Sequence, residues 1–206
     1  MKIHAQMSVS LDGYVAGPDA RPGNPLGDGG DRLHEWMYGI RAWHEMAGEP
    51  GGREDADNDL VVSGQRRTGA TILGRRMFDE GEEPWGPNPP FHMPVFVLTN
   101  HAHEPLVREG GTTYTFVTDG LRSAIERARA AAGGRDVEIG GGADVVQQCL
   151  VAGLLDELVL NVGPIFLGGG RRLFDRPELA DVVLERTEVI ASPTGTTHLR
   201  LVRREA

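Results

Sequence analysis

Short apolar runs alternate with amphipathic stretches along the chain. Apolar runs of this length are typical of buried strands, and apolar positions three to four residues apart are typical of helices. The pattern predicts strands over 2–11, 14–17, 70–73, 94–99, 113–117, 137–139, 156–163, 182–190 and 196–202. It predicts helices over 31–46, from about residue 60, and over 120–132 and 143–152, with a helical turn after 74. This alternation predicts an α/β fold with a mixed, mostly parallel central sheet flanked by helices, its last two strands antiparallel.

Three polar or glycine-rich segments, 18–30, 47–59 and 80–90, are predicted to be loops. Segment 47–59 is acidic and contains three glycines. We expect it to be a flexible insertion and not a boundary, because such compositions are typical of solvated loops. The length of 206 residues then predicts one domain over 1–206.

The charge balance narrows the possible partners. The chain has 21 basic and 30 acidic residues, a formal net charge of −9, which disfavours general nucleic-acid binding. The single cysteine, Cys149, excludes an internal disulfide and a cysteine-based zinc cluster. Because neither a signal peptide nor an apolar run of membrane-spanning length is found, we expect a cytoplasmic protein without a membrane partner.

A glycine-rich turn joins the predicted strand 137–139 to an amphipathic helix. Gly140, Gly141 and Gly142 allow the backbone to approach a ligand, and the helix adds unpaired N–H donors and the positive end of its dipole. Such a turn can receive an anion, most often a phosphate, although a simple tight turn is the alternative. The dinucleotide fingerprint G-x-G-x-x-G fails, because Val145 stands where its last glycine is required.

Two further strand ends carry polar residues. Gly74, Arg75 and Arg76 follow a buried strand and begin a helix, where arginines are unfavourable for the dipole but can bind a phosphate. The alternative is two solvated arginines. Thr99 and Asn100 end another strand and offer small polar groups at the same edge of a parallel sheet, unless they form only an ordinary turn.

Other chemistry-bearing residues have simpler explanations. The pair His101 and His103 could chelate a metal, but a solvated loop fits better, so no metal site is predicted. Asp156 and Glu157 are adjacent on a strand and point to opposite faces, which favours capping or ion pairing over a catalytic pair. The three tryptophans, Trp36, Trp43 and Trp85, could either stack on a flat ligand or pack in the core or a lid.

Six motifs follow one another along nearly the whole chain. They are Ser-Leu-Asp-Gly at 10–13, Leu-Gly-Arg-Arg at 73–76, Leu-Thr at 98–99, Ile-Gly-Gly-Gly-Ala at 139–143, Ala-Gly-Leu-Leu-Asp-Glu-Leu at 152–158 and Pro-Ile-Phe-Leu-Gly-Gly-Gly-Arg-Arg-Leu-Phe at 164–174. Their order resembles the dihydrofolate reductase-like superfamily, and is most similar to the reductase domain of bifunctional riboflavin-biosynthesis proteins and their stand-alone relatives. The resemblance implies a three-layer fold with an eight-stranded sheet, NADPH as hydride donor and a homodimer.

The resemblance also implies where ligands bind. The residues expected at the cofactor are Tyr14, Val15 and Ala16 beside the nicotinamide, Gly74, Arg75 and Arg76 at the adenosine phosphates, Thr99 and Asn100 at the 2′-phosphate, and Gly140, Gly141, Gly142 and Ala143 at the pyrophosphate. A second loop, formed by Leu167, Gly168, Gly169 and Gly170, is expected at the substrate.

The chain departs from this pattern in places. Met77 replaces a threonine that many relatives carry after Gly-Arg-x, and this sequence contains no Pro-Cys-x-x-Cys motif of the zinc deaminase half of the bifunctional proteins. Asp12 and Asp31 are the candidate catalytic residues, with His34 as a further candidate acid. Asp31 stands near the position of the pterin-binding carboxylate of dihydrofolate reductase, but a helix N-cap explains it equally well.

We therefore expect an NADPH-dependent reductase of a small heterocyclic or ribosylamino-pyrimidine-like substrate. It is expected to resemble 5-amino-6-(5-phosphoribosylamino)uracil reductase. Two alternatives remain open: dihydrofolate reductase activity, and a protein that binds NADPH without turnover.

Overall fold

The computed structural model describes residues 1–204; residues 205 and 206 of the predicted domain lie outside the described residues. Its strands are β1 (Ile3–Ser10), β2 (Tyr14–Ala16), β3 (Thr68–Gly74), β4 (Pro94–Leu98), β5 (Leu106–Val107), β6 (Thr113–Val117), β7 (Asp136–Gly141), β8 (Glu157–Gly163), β9 (Arg171–Arg172), β10 (Leu184–Ala191) and β11 (Thr197–Arg203). Its α-helices are α1 (Glu35–Tyr38), α2 (Arg41–Ala47), α3 (Ala56–Arg67), α4 (Arg75–Trp85), α5 (Leu121–Ala131) and α6 (Ala143–Val151).

Nine strands form the central sheet, in the order β10-β11-β8-β1-β7-β3-β4-β6-β5. The strands from β8 to β6 are parallel, whereas β11, β10 and β5 run antiparallel to their neighbours. The mixed, mostly parallel α/β fold is therefore confirmed. The resemblance implied eight strands, and the ninth is the two-residue edge strand β5. A separate two-stranded sheet pairs β2 with β9.

Alternate residues of each parallel strand point to opposite faces of the sheet, and an apolar core covers each face. Ile3, Ala5 and Ile139 pack with α5 and α6 in the larger apolar core. On the other face, Leu73 and Val97 pack with Phe78 of α4 in a second core. These packed layers leave the carboxyl ends of β3, β4 and β7 at one edge, where ligands bind in open parallel sheets.

Segment 31–46 is not the single helix that its periodicity predicts. A 3-10 turn, Gly30–His34, is followed by α1, and an extended Ile40 separates α1 from α2. The break follows from a long-range contact, because the Arg53 amide donates to the Gly39 carbonyl and the Arg41 amide donates to the Arg53 carbonyl, both at 2.9 Å. Periodicity within one segment carries no information about such a partner.

The prediction of a flexible insertion over 47–59 is wrong at its carboxyl end. Helix α3 begins at Ala56, inside that segment, and Asp55 caps it by accepting hydrogen bonds from the amides of Asp57 and Asn58. Asp57 is fully buried and accepts hydrogen bonds from Ser192 and His198, at 2.7 and 3.0 Å. Acidic residues that suggested a solvated loop are in fact helix-capping and core-pairing groups.

The interpretation of Asp156 and Glu157 as capping or ion-pairing groups is confirmed, although only Glu157 lies within β8. The Asp156 carboxylate accepts a hydrogen bond from the Ile3 amide at 2.7 Å. The Glu157 carboxylate accepts from Arg67 at 2.6 Å and from Arg200 at 2.7 Å. Both residues tie neighbouring segments together at the amino end of the sheet.

His4 is a buried histidine beside this ion-pair network. Its Nε2 lies 3.0 Å from the Thr68 hydroxyl, which donates its own hydrogen to the Gly64 carbonyl, so Nε2 carries the proton. Its Nδ1 is buried without a hydrogen-bond partner within residues 1–204. Burial, aided by the charge of Arg67, lowers the pKa of His4 from 6.5 to about 4.

This histidine makes stability depend on pH. Between pH 6.5 and about 4 the unfolded chain binds a proton at His4 that the folded chain does not bind, so the unfolding free energy should fall on acidification. Compared with His4→Gln, the wild type should lose about 1–3 kcal/mol more over this range. Urea unfolding at several pH values measures the difference, and parallel pH profiles of the two proteins would contradict it.

Candidate active site

A cleft of about 930 Å³ opens at the carboxyl edge of the parallel strands. Its lining includes nine of the residues expected at the cofactor or substrate: Tyr14, Gly74, Arg75, Arg76, Thr99, Asn100, Gly142, Ala143 and Gly170. Residues that sequence reasoning did not select also line it, among them Met77, His101, Thr118, Gly120, Leu121, Gln147, Gln148, Arg171, Arg172 and Asp175.

Three helices begin at this cleft. The N-cap residues of α4, α5 and α6 are Gly74, Gly120 and Gly142, and none of the three helices has a side-chain cap within the described chain. Their first backbone N–H groups therefore remain available, and the positive ends of three helix dipoles meet in one cleft. This combination favours an anionic ligand such as a phosphate.

The three consecutive glycines play different parts. Gly140 lies within β7, where an added Cβ would come within 2.8 Å of the Leu73 side chain. Gly141 has a φ of +131°, and its Cβ would lie 2.8 Å from Met77 Sδ. At Gly142 a Cβ would meet no described atom within 4 Å, because this position faces the cleft. Of the three, Gly142 is therefore the residue positioned to touch a ligand.

Arg75 and Arg76 both line the cleft. The guanidinium of Arg75 lies 5.8 Å from the centre of the Phe116 ring, at the side of β6, and Arg75 Nε donates to Asp79 at 2.6 Å. Against the effect of its partial burial, hydrogen bonds from Arg176 and Gln148 and the charges of Arg176 and Arg76 hold the pKa of Asp144, in the first turn of α6, below its usual value. The Asp79 pair also offsets part of the unfavourable interaction of Arg75 with the helix dipole.

Small polar groups line the cleft near Arg75. Thr99 and Asn100 follow β4, and the Thr99 hydroxyl oxygen accepts a hydrogen bond from the His101 amide at 3.1 Å. Thr118 follows β6 beside them. Since Thr118 precedes the uncapped start of α5, the Thr-Asp-Gly sequence before that helix is the signal that could have identified this part of the cleft.

The opposite side of the cleft is the β2–β9 wall, which we define as Tyr14–Ala16 with Gly170, Arg171 and Arg172. The Arg172 guanidinium lies 4.7 Å from the centre of the Tyr14 ring, a cation–π contact. Gly170 has a φ of +112°, and an added Cβ would lie 2.1 Å from the Ala16 carbonyl oxygen. Gly170 therefore lets β9 pack closely on β2.

Other residues expected at the ligands lie outside the lining of the cleft. Ala16 belongs to the β2–β9 wall but is buried, at 4% exposed. Val15 packs against the larger core. From the second glycine loop, only Gly170 lines the cleft. The remaining residues of these two sets that lie outside the lining are Gly140, Gly141, Leu167, Gly168 and Gly169.

The carboxylate of Asp12 is held by hydrogen bonds from two segments of the chain. It accepts hydrogen bonds from the Ser10 hydroxyl at 2.6 Å and from the amides of Leu167 and Gly168 at 3.2 and 2.7 Å. The bond from Ser10, with these amides, holds the pKa of Asp12 below its usual value. An ionised carboxylate cannot donate a proton, so these contacts favour a positioning role over the predicted catalytic one.

Asp31 and His34 lie in the 3-10 turn at Gly30–His34, outside the lining of the cleft. The N-cap of this turn is Gly29, so the capping interpretation of Asp31 is wrong. Burial lowers the pKa of His34, and its Nδ1 is buried without a partner among the described residues.

No group of three or more metal-ligating side chains occurs in the described part of the chain. No helix in residues 1–204 is long and apolar enough to cross a membrane.

Comparisons with known proteins agree with this geometry. The family model of the RibD C-terminal domain matches residues 1–198. No curated protein matches the chain. A riboflavin biosynthesis protein from Shewanella sp. PV-4 is similar in structure, with a TM-score of 0.71 and 24% identity over 100% of both chains.

Two other solved structures show the same fold at lower identity. A pyrimidine reductase-like protein from Corynebacterium diphtheriae has a TM-score of 0.58 and 14% identity, over 100% of this chain and 92% of that one. Dihydrofolate reductase from Enterococcus faecalis, complexed with NADP(H), has a TM-score of 0.55 and 15% identity, over 99% and 97%. The fold is dihydrofolate reductase-like, and the chain belongs to the RibD C-terminal domain family, which supports a reductase.

Proposed function

We propose that this chain is an NADPH-dependent reductase of a small heterocyclic or ribosylamino-pyrimidine-like substrate, similar to 5-amino-6-(5-phosphoribosylamino)uracil reductase. The observation that carries the proposal is the meeting of three uncapped helix N-termini with Arg75 and Arg76 in one cleft. An acidic chain that concentrates donors and cations in this way is suited to a ligand with several phosphates.

We propose the following placement of NADPH in the cleft. Gly142 and Ala143, with the start of α6 and Arg76, would hold the pyrophosphate. Arg75, Thr99 and Asn100 would hold the 2′-phosphate, because a guanidinium and small donors converge there.

At the other end of the cleft, Tyr14 and the β2–β9 wall would face the nicotinamide and the substrate. NADPH supplies a hydride to a C=N or C=O carbon, and the protein supplies position and electrostatics. Asp12, Asp31 and His34 lie outside the lining, so we assign the proton to water. We also propose that the protein acts as a homodimer.

The test is NADPH oxidation, followed by absorbance, with 5-amino-6-(5-phosphoribosylamino)uracil and dihydrofolate offered separately. Turnover of the pyrimidine alone supports the proposal. Turnover of dihydrofolate that is lost in Asp31→Asn favours dihydrofolate reductase activity. Tight NADPH binding without oxidation of either substrate, or of a wider heterocycle panel, favours a non-catalytic NADPH-binding protein.

A further inference from the structure

A buried ion pair joins the two sides of the cleft. Glu80 of α4 is 6% exposed and binds Arg171 of β9 through both carboxylate oxygens. Arg171 Nη1 lies 2.6 Å from Glu80 Oε2, and Nη2 binds Oε1. Nη2 also donates to the Ala20 carbonyl at 3.1 Å, in the loop that follows β2. One guanidinium therefore connects three segments that are distant in sequence.

We propose that Glu80 and Arg171 are positioning residues, which hold the β2–β9 wall at a fixed distance from α4 so that hydride transfer has the right geometry. This inference rests on the proposed function. A two-bonded arginine–carboxylate pair is directional as well as attractive, so it sets orientation and not only proximity.

The wall behaves as a unit on its own side. Gly170 packs against the Ala16 carbonyl, and Arg172 stacks on Tyr14. The carboxylate of Asp12 ties the turn after β1 to the amides of Leu167 and Gly168, which lead into the wall. Whatever fixes Arg171 therefore also fixes Tyr14 and Arg172 at the cleft.

The other side is the helix that begins with the phosphate-binding residues. Glu80 lies on the same α4 whose first residues are Arg75 and Arg76. Within residues 1–204, Glu80–Arg171 is the only ion pair between α4 and the wall. The pair thus links the cofactor phosphates to the end of the cleft where the reacting atoms would meet.

Loss of this link should affect the reaction more than cofactor binding. The phosphate donors come from helix ends that do not depend on the wall, whereas a misplacement of about 1 Å can slow a reaction about 100-fold. Removing one partner also leaves the other charge buried, so the wall should move to solvate it.

The experiment compares Glu80→Gln with Glu83→Gln, a matched change of an exposed glutamate on the same helix. Three quantities are measured: the NADPH Kd, the single-turnover rate of NADPH oxidation with 5-amino-6-(5-phosphoribosylamino)uracil, and amide hydrogen exchange over 13–20 and 168–173. Arg171→Lys, which keeps the charge but loses the planar fork, serves as the conservative variant.

We expect Glu80→Gln to slow oxidation about 10- to 100-fold and to change the NADPH Kd less than about 3-fold. Hydrogen exchange should become faster in both segments of Glu80→Gln. The oxidation rate and the hydrogen exchange of Arg171→Lys should lie between those of Glu80→Gln and those of the wild type. Equal loss of binding and rate, or an unchanged rate, would overturn the proposal. If hydrogen exchange in both segments is unchanged in Glu80→Gln, the ion pair does not hold the β2–β9 wall, and the positioning proposal fails while the proposed function stands. If the wild type oxidises no NADPH with this substrate, the proposed function fails, and the positioning proposal fails with it.

Discussion

Replacing Gly142 by alanine is expected to weaken NADPH binding about 10- to 100-fold, or about 1.4–2.7 kcal/mol. The added methyl group would occupy open space in the cleft, where no described atom lies within 4 Å and where we place a phosphate. Fluorescence titration with NADPH measures the loss. An unchanged Kd would show that the cofactor does not approach this glycine.

Stability separates this effect from damage to the fold. Gly142 has a φ of −73°, which alanine adopts without strain, so Gly142→Ala should change the unfolding free energy by less than about 1 kcal/mol. Gly141→Ala is the contrasting variant, because its φ is +131° and its Cβ would meet Met77. It should destabilise the chain by about 1–3 kcal/mol. Loss of stability in Gly142→Ala would contradict our account of this turn.

Replacing Arg75 and Arg76 separately by alanine is expected to affect the binding of NADPH and NADH differently, because we place the two arginines at different phosphates of the cofactor. Arg75→Ala should weaken NADPH binding by about 1–3 kcal/mol and leave NADH binding unchanged, because we place this guanidinium at the 2′-phosphate. Arg76→Ala should weaken both nucleotides, since the pyrophosphate is common to them. Parallel NADPH and NADH titrations of each variant measure the two effects.

The matched control is Arg129→Ala, which removes an exposed arginine in the last turn of α5. It lowers the net charge by the same amount and should leave both affinities unchanged. Equal weakening of NADPH and NADH by Arg75→Ala would contradict the placement of the 2′-phosphate. High salt should reduce the contribution of Arg75, which is partly exposed.

The parallel strands and helices α5 and α6 could be predicted because each carries its own periodic signal. Helix α4 was predicted only as a turn, and its second half, from Glu80, as a loop. Strands β3, β4, β6 and β7 are short apolar runs, and such runs indicate buried strands without information about their neighbours in the fold. The glycine turn and the Gly74-Arg75-Arg76 segment were found for a related reason, because turn chemistry is local.

Segment 39–59 could not be predicted, because its structure depends on distant partners. Arg53 breaks a helix by bonding to Gly39 and Arg41, and Asp57 is buried by pairing with Ser192 and His198. Residues of the same composition without those partners would form a solvated loop.

Parts of the cleft were missed for the same reason. From the sequence alone, Arg171 is expected to be a surface arginine, because its partner Glu80 is 91 positions away in the chain. From the sequence alone, Gly120 is an ordinary helix start. Only in the folded sheet does it line the same cleft as Gly74 and Gly142. The three uncapped helices are each weak signals, and only the strand order makes them one site.

The most direct test of the central claim is titration of the wild-type chain with NADPH and NADH. We predict sub-millimolar binding of NADPH that is tighter than binding of NADH and that weakens in the Arg75→Ala/Arg76→Ala double variant. Binding of neither nucleotide at sub-millimolar concentration would contradict the account, and the three helix ends would then need another anionic ligand.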